Sequence, residues 1–212
     1  MQLVTWDDLV KTGGLGNPGG FAKDQSLTGA ELSRPAAVTI GVFDGIHRGH
    51  RALIGKIVDK APVLLPAVLT FRDNPKKYVR PEAFEGDILD YREKIRLFGE
   101  LGVKLCVIID FSADFCKLEG REFFSLMYRF LRPAYVAVGS NFHCGFDRGT
   151  GAGAFRLLGQ EKGVEVEIVP PVLENGLPVS SSRIRSALRA GSYEEAALLL
   201  GRPVTAGQMT PR

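Results

Sequence analysis

Apolar and polar positions follow two periods along this chain, and the periods predict strands that alternate with helices. Short apolar runs bounded by proline, glycine or charge are typical of buried strands. They cover residues 36–43, 62–71, 103–109, 134–139 and 164–170. Segments whose apolar residues recur every three or four positions predict helices. One such helix begins at His47, and the others cover 91–101, 121–131 and 154–162. The alternation indicates an α/β fold with a doubly wound, mainly parallel sheet of five to six strands.

The segments between these elements are expected to be irregular. Residues 1–10 predict a short strand followed by a turn, and residues 149–153 predict a flexible loop. The glycine-rich segment 11–29 predicts a mobile loop, and its G-x-G-x-x-G pattern is a chance match because no strand precedes it. Residues 1–203 are expected to form one domain, followed by a disordered tail at 204–212.

The composition is typical of a soluble globular protein, with 45% hydrophobic and 24% charged residues. The net charge of +3 is too small to predict a nucleic-acid partner. The N-terminal residues lack the features of a signal peptide, and no apolar run approaches the ~18–20 residues that span a bilayer. Three widely spaced cysteines without a C-x-x-C pair argue against a disulfide framework and a zinc site. We therefore expect a cytoplasmic protein with no membrane partner and no protein-bound metal.

Two of the three histidines lie where the first long apolar run meets the following helix. His47 and His50 are three residues apart, so both rings can point the same way from the first helical turn. A helix N-terminus offers free N–H groups and a partial positive charge to phosphate. Three glycines leave room for close backbone approach, namely Gly41, Gly45 and Gly49. The pattern indicates a polyphosphate site, although two surface histidines on an ordinary helix fit the spacing equally well.

Three motifs resemble those of bacterial FAD synthetases, which are the adenylyltransferase modules of riboflavin kinase/FMN adenylyltransferase proteins. GVFDGIHRGH at 41–50 resembles the HxGH signature of nucleotidylyltransferases, in its G-x-F-D-G-x-H-x-G-H version. VGSNFHCGFDRGTG at 138–151 resembles V-G-x-D/N-F-x-F-G-x-x-R-x-G, and VSSSRIR at 179–185 resembles I-S-S-T-R-I-R. The resemblance covers roughly residues 36–203 and implies a Rossmann-like nucleotidylyltransferase fold.

The resemblance implies a site made from all three motifs. His47 and His50 would stabilise α- and β-phosphate oxygens of ATP, while Ser181, Ser182 and Arg183 would hold the β- and γ-phosphates. The implied catalytic set is His47, His50, Asn141, Ser181 and Arg183. The implied ATP-binding set is Gly41, Phe43, Asp44, Gly45, His47, His50, Gly139, Arg148, Ser181, Ser182 and Arg183. The implied flavin-binding set is Phe71, Asn74, Asn141 and Phe142.

The implied reaction is attack of FMN on the α-phosphorus of Mg-ATP, which gives FAD and pyrophosphate without a covalent enzyme intermediate. Mg²⁺ would be held largely by phosphates and water. The implied partners are therefore the small molecules ATP and FMN. Because no riboflavin kinase module follows residue 203, the chain is expected to act as a monomer or beside a separate kinase.

Two departures from the family pattern keep other functions open. FRDNP at 71–75 lacks the inner proline and histidine of the usual F-x-P-H-P, and Cys144 replaces an aromatic residue. The alternatives are adenylyl or cytidylyl transfer to a different phosphorylated acceptor, and a non-catalytic nucleotide- or flavin-binding protein. A serine hydrolase and a P-loop kinase are excluded, because neither G-x-S-x-G nor G-x-x-x-x-G-K-S/T occurs in the sequence.

Overall fold

The computed structural model describes residues 1–15, 27–112 and 114–204. The predicted glycine-rich loop lies mostly outside these ranges, as does almost all of the predicted tail. The strands are β1 (Gln2–Thr5), β2 (Ala36–Ile40), β3 (Leu65–Phe71), β4 (Leu105–Ile109), β5 (Pro133–Gly139), β6 (His143–Cys144), β7 (Thr150–Gly151), β8 (Glu165–Val169), β9 (Leu173–Glu174) and β10 (Leu177–Pro178). The helices are α1 (Trp6–Thr12), α2 (Gly29–Leu32), α3 (Arg48–Val58), α4 (Lys76–Val79), α5 (Tyr91–Glu100), α6 (Gly120–Leu131), α7 (Ala152–Glu161), α8 (Ser181–Arg189) and α9 (Tyr193–Leu200).

Six strands form one sheet in the order β1-β4-β3-β2-β5-β8, and every neighbouring pair is parallel. β2 lies inside the sheet: all its residues are buried, and Ala37 is opposite Pro66 of β3 on one side and Tyr135 of β5 on the other. From β2 the chain builds the sheet outward through β3 and β4, then returns to β5 on the opposite side of β2. Ligands bind such sheets outside the carboxyl ends of the strands where this reversal occurs, here β2 and β5.

Helices cover both faces of the sheet, so the predicted doubly wound α/β arrangement is confirmed. On one face, α1, α6 and α7 bury an aromatic cluster made of Trp6, Phe123, Phe124, Phe130 and Phe155. On the other face, α3 and α5 bury a second cluster that includes Ile54, Ile57, Leu97 and Phe98. Alternate residues of β2 point into the two clusters, because successive side chains of a strand face opposite sides.

Two segments that were predicted to be irregular are regular. α1 replaces the predicted turn, because the Thr5 hydroxyl accepts a hydrogen bond from the Asp8 N–H at 3.1 Å and two acidic residues complement the helix dipole. β7 and the start of α7 replace the predicted flexible loop, because Thr150 and Gly151 pair with Cys144 and His143 of β6. Both corrections rest on hydrogen bonds that the sequence analysis did not include.

The last two helices form a third, smaller core at the carboxyl edge of the sheet. The buried residues are Ile88, Val179, Ile184, Ala187, Leu188, Ala196, Leu199 and Leu200. This core fixes the N-terminus of α8 beside the turn that follows β2.

Candidate active site

The turn between β2 and α3 is held in an uncommon backbone conformation. Phe43 and Ile46 have φ angles of 53° and 39°, in the left-handed region that non-glycine residues seldom adopt, and Gly45 has a φ of 89°. Both apolar side chains are buried, so packing in the core stabilises this backbone. The predicted strand therefore ends early, at Ile40. Gly41 is suited to its place because a Cβ there would lie 3.2 Å from the Phe43 ring.

The two histidines lie at the start of α3 with their rings stacked. The ring centroids of His47 and His50 are 3.6 Å apart, with 15° between the planes. His47 is the N-cap residue, and its Nδ1 accepts a hydrogen bond from the His50 backbone N–H at 3.3 Å. A neutral His47 ring therefore carries its proton on Nε2, which is left as a donor. Nδ1 of His50 is buried without a hydrogen-bond partner among the described residues.

Burial keeps both rings uncharged near pH 7. It lowers the pKa of His47 to about 4, with a smaller contribution from the positive charge of Arg202. It also lowers the pKa of His50 well below its ordinary value, because a charged His50 would be disfavoured by burial and by the neighbouring His47 and Lys94. Each ring is thus available as a neutral hydrogen-bond donor, and an arriving anion would favour its protonated form.

Asp44 forms a buried ion pair with Arg185 and links the first motif to the third. Its other oxygen accepts a hydrogen bond from the Ile88 N–H at 2.8 Å, and the Arg185 Nε donates to the Gly86 carbonyl at 2.9 Å. Both side chains are almost wholly inaccessible to solvent. Asp44 was predicted to contact ATP, but its carboxylate is already occupied by groups of the protein. The sequence did not reveal this use, since 141 positions separate the two residues.

The serines of the third motif open α8. Ser180 is the N-cap and accepts a hydrogen bond from the Arg183 N–H, while the side chain of Ser182 is exposed. The Arg183 guanidinium is directed elsewhere, because it bonds Glu195 of α9 at 2.9 Å and the Glu174 carbonyl at 3.0 Å. The free protein therefore does not place this predicted phosphate ligand beside the histidines.

The N-termini of α3 and α8 lie next to each other. The Ser181 hydroxyl donates to the carbonyl of Asp44 at 2.8 Å, and a Cβ at Gly49 would lie 3.7 Å from the carbonyl oxygen of Val179. Gly49 also lies against the His47 ring, since the same Cβ would be 3.2 Å from its Nδ1. Two sets of free N–H groups and two partial positive charges are thus directed to one region, which suits a chain of phosphates.

Arg202 is a site-forming residue that the sequence analysis missed. Its guanidinium donates to the carbonyls of Gly45 at 2.7 Å and Ile46 at 3.1 Å, and so clamps the turn that precedes His47. Arg202 belongs to none of the three motifs, and it follows the glycine that ends α9.

At the end of β5 the structure separates the predicted residues of the second motif. Asn141 is exposed, and its Oδ1 would lie 3.1 Å from a Cβ at Gly139, so the two adjoin at the crevice. Phe142 packs on Phe155 in the core, with 5.0 Å between ring centroids, which occupies one side of the ring predicted to contact flavin. Arg148 is exposed and lies 3.3 Å from His143, with no described contact to the histidine pair.

A cavity of about 220 Å³ opens beside the end of β3. Its lining residues are Val42, Asp44, Arg72, Asp73, Asn74, Lys77, Asp87, Leu89, Asp90, Tyr91 and Lys94. Of the predicted flavin-binding residues, Asn74 lines it and is buried, since its amide donates to Asp87 at 3.2 Å and its oxygen accepts from the Lys76 N–H. Phe71 is half-buried in edge-to-face contact with Phe111 and Phe115.

Lys94 is a second residue that the sequence analysis missed. It lies on the inward face of α5 with Leu97 and Phe98, and only 7% of it is exposed. The signal was available, because a lysine stands where the three-to-four-residue repeat requires an apolar side chain.

No group of three or more histidine, cysteine, aspartate or glutamate side chains is arranged to hold a metal ion in the described part of the chain. Among the helices described above, none has both the length and the apolar character needed to cross a bilayer.

Comparison with known proteins decides the family. The profile of the FAD synthetase family matches residues 30–183, which include the turn, the histidine pair and the start of α8. The chain belongs to the FAD synthetase family. The predicted family is therefore confirmed, and all three motifs that carried the resemblance lie within or at the edge of the matched region.

Curated relatives of the FAD synthetase family agree with this assignment. The bifunctional riboflavin kinase/FMN adenylyltransferase of Pseudomonas fluorescens is 34% identical over 176 residues, which are 80% of this chain and 55% of the relative. The FAD synthetase of Listeria monocytogenes is 30% identical over 187 residues, covering 84% of this chain and 76% of the relative. The chain spans about half the length of the bifunctional relatives that it matches.

Solved structures support the fold. A crystal structure of a protein from Streptococcus pneumoniae, described as a macrolide-efflux protein, has a TM-score of 0.72 at 32% identity and covers 81% of this chain and 56% of its own. A pantoate-beta-alanine ligase from Francisella tularensis, described as complexed with beta-gamma ATP and beta-alanine, has a TM-score of 0.52 at 12% identity and covers 95% of this chain and 85% of its own. These neighbours confirm the predicted nucleotidylyltransferase-like α/β fold.

Proposed function

We propose that this chain transfers the AMP group of Mg-ATP to FMN, producing FAD and pyrophosphate. The observation that carries the proposal is the meeting of two helix N-termini beside a stacked histidine pair, at the carboxyl ends of β2 and β5, in a member of the FAD synthetase family. This arrangement is suited to phosphate groups and offers no nucleophile activated by a base.

In the proposed reaction, a phosphate oxygen of FMN forms a bond to the α-phosphorus of ATP. The bond from that phosphorus to the bridging oxygen of the β-phosphate breaks, and pyrophosphate leaves with the electron pair. The FMN phosphate is already an anion, so no strong base is needed. The site must align two anions that repel each other and stabilise the charge that develops on the phosphate oxygens.

We assign that stabilisation to His47 and His50. Nε2–H of His47 would donate to an α- or β-phosphate oxygen, because its Nδ1 is engaged by the His50 N–H. The free N–H groups of α3 and α8, with Ser182, would hold the β- and γ-phosphates. Arg183 could join them only by exchanging its bonds to Glu195 and the Glu174 carbonyl for a phosphate.

Mg²⁺ enters this proposal as part of the substrate Mg-ATP. The carboxylate of Asp44, which lies in the turn before the histidines, is held by Arg185 and the Ile88 N–H. Phosphate oxygens and water would therefore supply most of the ligands of the ion, which is the usual coordination of Mg²⁺ in nucleotide sites.

The proposal is tested by incubating the protein with ATP, Mg²⁺ and FMN and separating the flavins by chromatography. FAD should form with FMN, not with riboflavin, and not when a chelator removes Mg²⁺. CTP in place of ATP tests cytidylyl transfer. FMN or ATP binding without any FAD would contradict the proposal and favour a binding protein.

A further inference from the structure

A buried positive charge at the cavity beside β3 lacks a counter-charge. The Lys94 Nζ donates to the carbonyl of Phe71 at 2.7 Å, and no carboxylate oxygen lies within 4 Å of it among the described residues. Lys77 in the same cavity is different, because its Nζ lies 2.9 Å from Asp73 and 3.4 Å from Asp87. An ammonium has three donors, so Lys94 uses one of them on a neutral group.

The surroundings of Lys94 penalise its charge. Burial lowers its pKa, and the carboxylates of Asp87, Asp44 and Asp73 only partly oppose that shift. Burying an ionised side chain without a partner is costly, and proteins seldom do so without a function. An apolar residue at this place in α5 would avoid that cost. The missing counter-charge therefore indicates an anion that arrives from outside the protein.

The position of Lys94 defines which anion it can meet. It lines a cavity to which neither α3 nor α8 contributes a residue, so the cavity is distinct from the two helix N-termini. Its charge nevertheless acts on His50, since it helps to lower the pKa of that ring. Lys94 thus stands in the cavity beside β3, which shares no α3 or α8 residue with the region assigned to the phosphates of ATP.

We propose that Lys94 binds the phosphate group of the flavin substrate and places this attacking group beside His50. This inference rests on the proposed function, because it takes FMN as the acceptor. The phosphate supplies the counter-charge that the protein lacks, and the two unused N–H donors of Lys94 bind its oxygens. Riboflavin has no phosphate and gains nothing from this residue, so Lys94 also makes the site prefer FMN.

The test compares the affinities of FMN and riboflavin, measured by quenching of flavin fluorescence without ATP. The wild-type protein should bind FMN more tightly than riboflavin. Lys94→Met keeps the aliphatic part of the side chain and should weaken FMN binding about tenfold or more while leaving riboflavin affinity unchanged. Lys104→Met is the matched control, because Lys104 is exposed and precedes β4, so it lies at the amino ends of the strands, whereas the cavity lies at the carboxyl end of β3. It should leave both affinities unchanged.

A second variant guards against a folding defect. Lys94→Gln keeps a donor for the Phe71 carbonyl without the charge, and circular dichroism identifies which variants are folded. The inference is overturned if a folded variant retains the wild-type preference for FMN over riboflavin. FAD formation by the same wild-type preparation separates the two proposals. A preference for FMN that depends on Lys94, without FAD formation, would contradict the proposed function alone.

Discussion

Arg185 and Asp44 form an ion pair that is almost completely buried, and it joins α8, which the third motif opens, to the turn between β2 and α3 in the first motif. The pair is completed by hydrogen bonds from the Ile88 N–H to Asp44 and from Arg185 to the Gly86 carbonyl. Two residues that resemble site residues in the sequence thus act by holding the site together. The position of α8 relative to α3 depends on them.

Loss of one partner should therefore destabilise the fold strongly. Asp44→Asn leaves a buried guanidinium without a counter-charge and should lower the free energy of unfolding by about 3–5 kcal/mol. Chemical denaturation measures this change. Glu161→Gln is the control, since its pair with Arg121 is exposed and should contribute little. The double variant Asp44→Asn/Arg185→Met should cost less than the sum of the two single changes, and additive costs would show that the pair does not act as a unit.

Acid should destabilise the protein through His47. Its folded pKa of about 4 lies below the ordinary value of 6.5, so the unfolded state binds a proton that the folded state does not. Stability is full above about pH 6.5 and falls as pH decreases toward 4, by about 3 kcal/mol for this group. His50 acts in the same direction. His47→Asn keeps an N-cap residue and should flatten the dependence of unfolding free energy on pH. An unchanged slope would mean that His47 is charged in the folded protein.

Removal of the His50 ring should slow turnover with little effect on folding. His50→Ala is expected to lower the rate of FAD formation by roughly 10²-fold or more, because a donor to the developing charge is lost. Steady-state kinetics at saturating ATP and FMN measure the change. His143→Ala is a comparison with the third histidine, which is exposed and lies away from the stacked pair, and its loss should be much smaller. Equal effects would remove His50 from the mechanism.

Alanine substitutions at two glycines of α3 test the stability of the helix and the geometry of the site separately. Gly49→Ala places a Cβ 3.2 Å from the His47 ring and should reduce activity, because the ring must shift. Gly55→Ala meets nothing within 4 Å, so it should stabilise the helix by about 0.5–1 kcal/mol with activity unchanged. Thermal unfolding and FAD formation measured on both variants test this expectation. Full activity of Gly49→Ala would show that the position of His47 is not critical.

Local chemistry allowed much of the fold to be predicted from the sequence. The apolar runs marked strands, the change of period at His47 marked the start of α3, and the three serines marked the N-terminus of α8. Each of these features is determined by residues that are close together in the sequence, so it can be read from the sequence alone. The start of α1 was missed, although Thr5 and the acidic residues after it form a recognisable cap.

The remainder depended on contacts between distant segments. Nothing local distinguishes a carboxylate that contacts a ligand from one that pairs with a guanidinium, so the ion pair of Asp44 with Arg185 could not be predicted. Phe142 and Arg183 likewise contact Phe155 and Glu195, which only the fold brings near. Lys94 is the opposite case, because its conflict with the apolar repeat is visible in the sequence, although the sequence analysis did not use it.

The most direct test of the central claim follows the phosphorus atoms of ATP. The protein is incubated with FMN, Mg²⁺ and ATP that is radiolabelled at either the α- or the γ-phosphorus. We expect the α label to appear in FAD and the γ label in pyrophosphate, in equal amounts. A flavin that carries the γ label, or no labelled flavin at all, would contradict adenylyl transfer by this site.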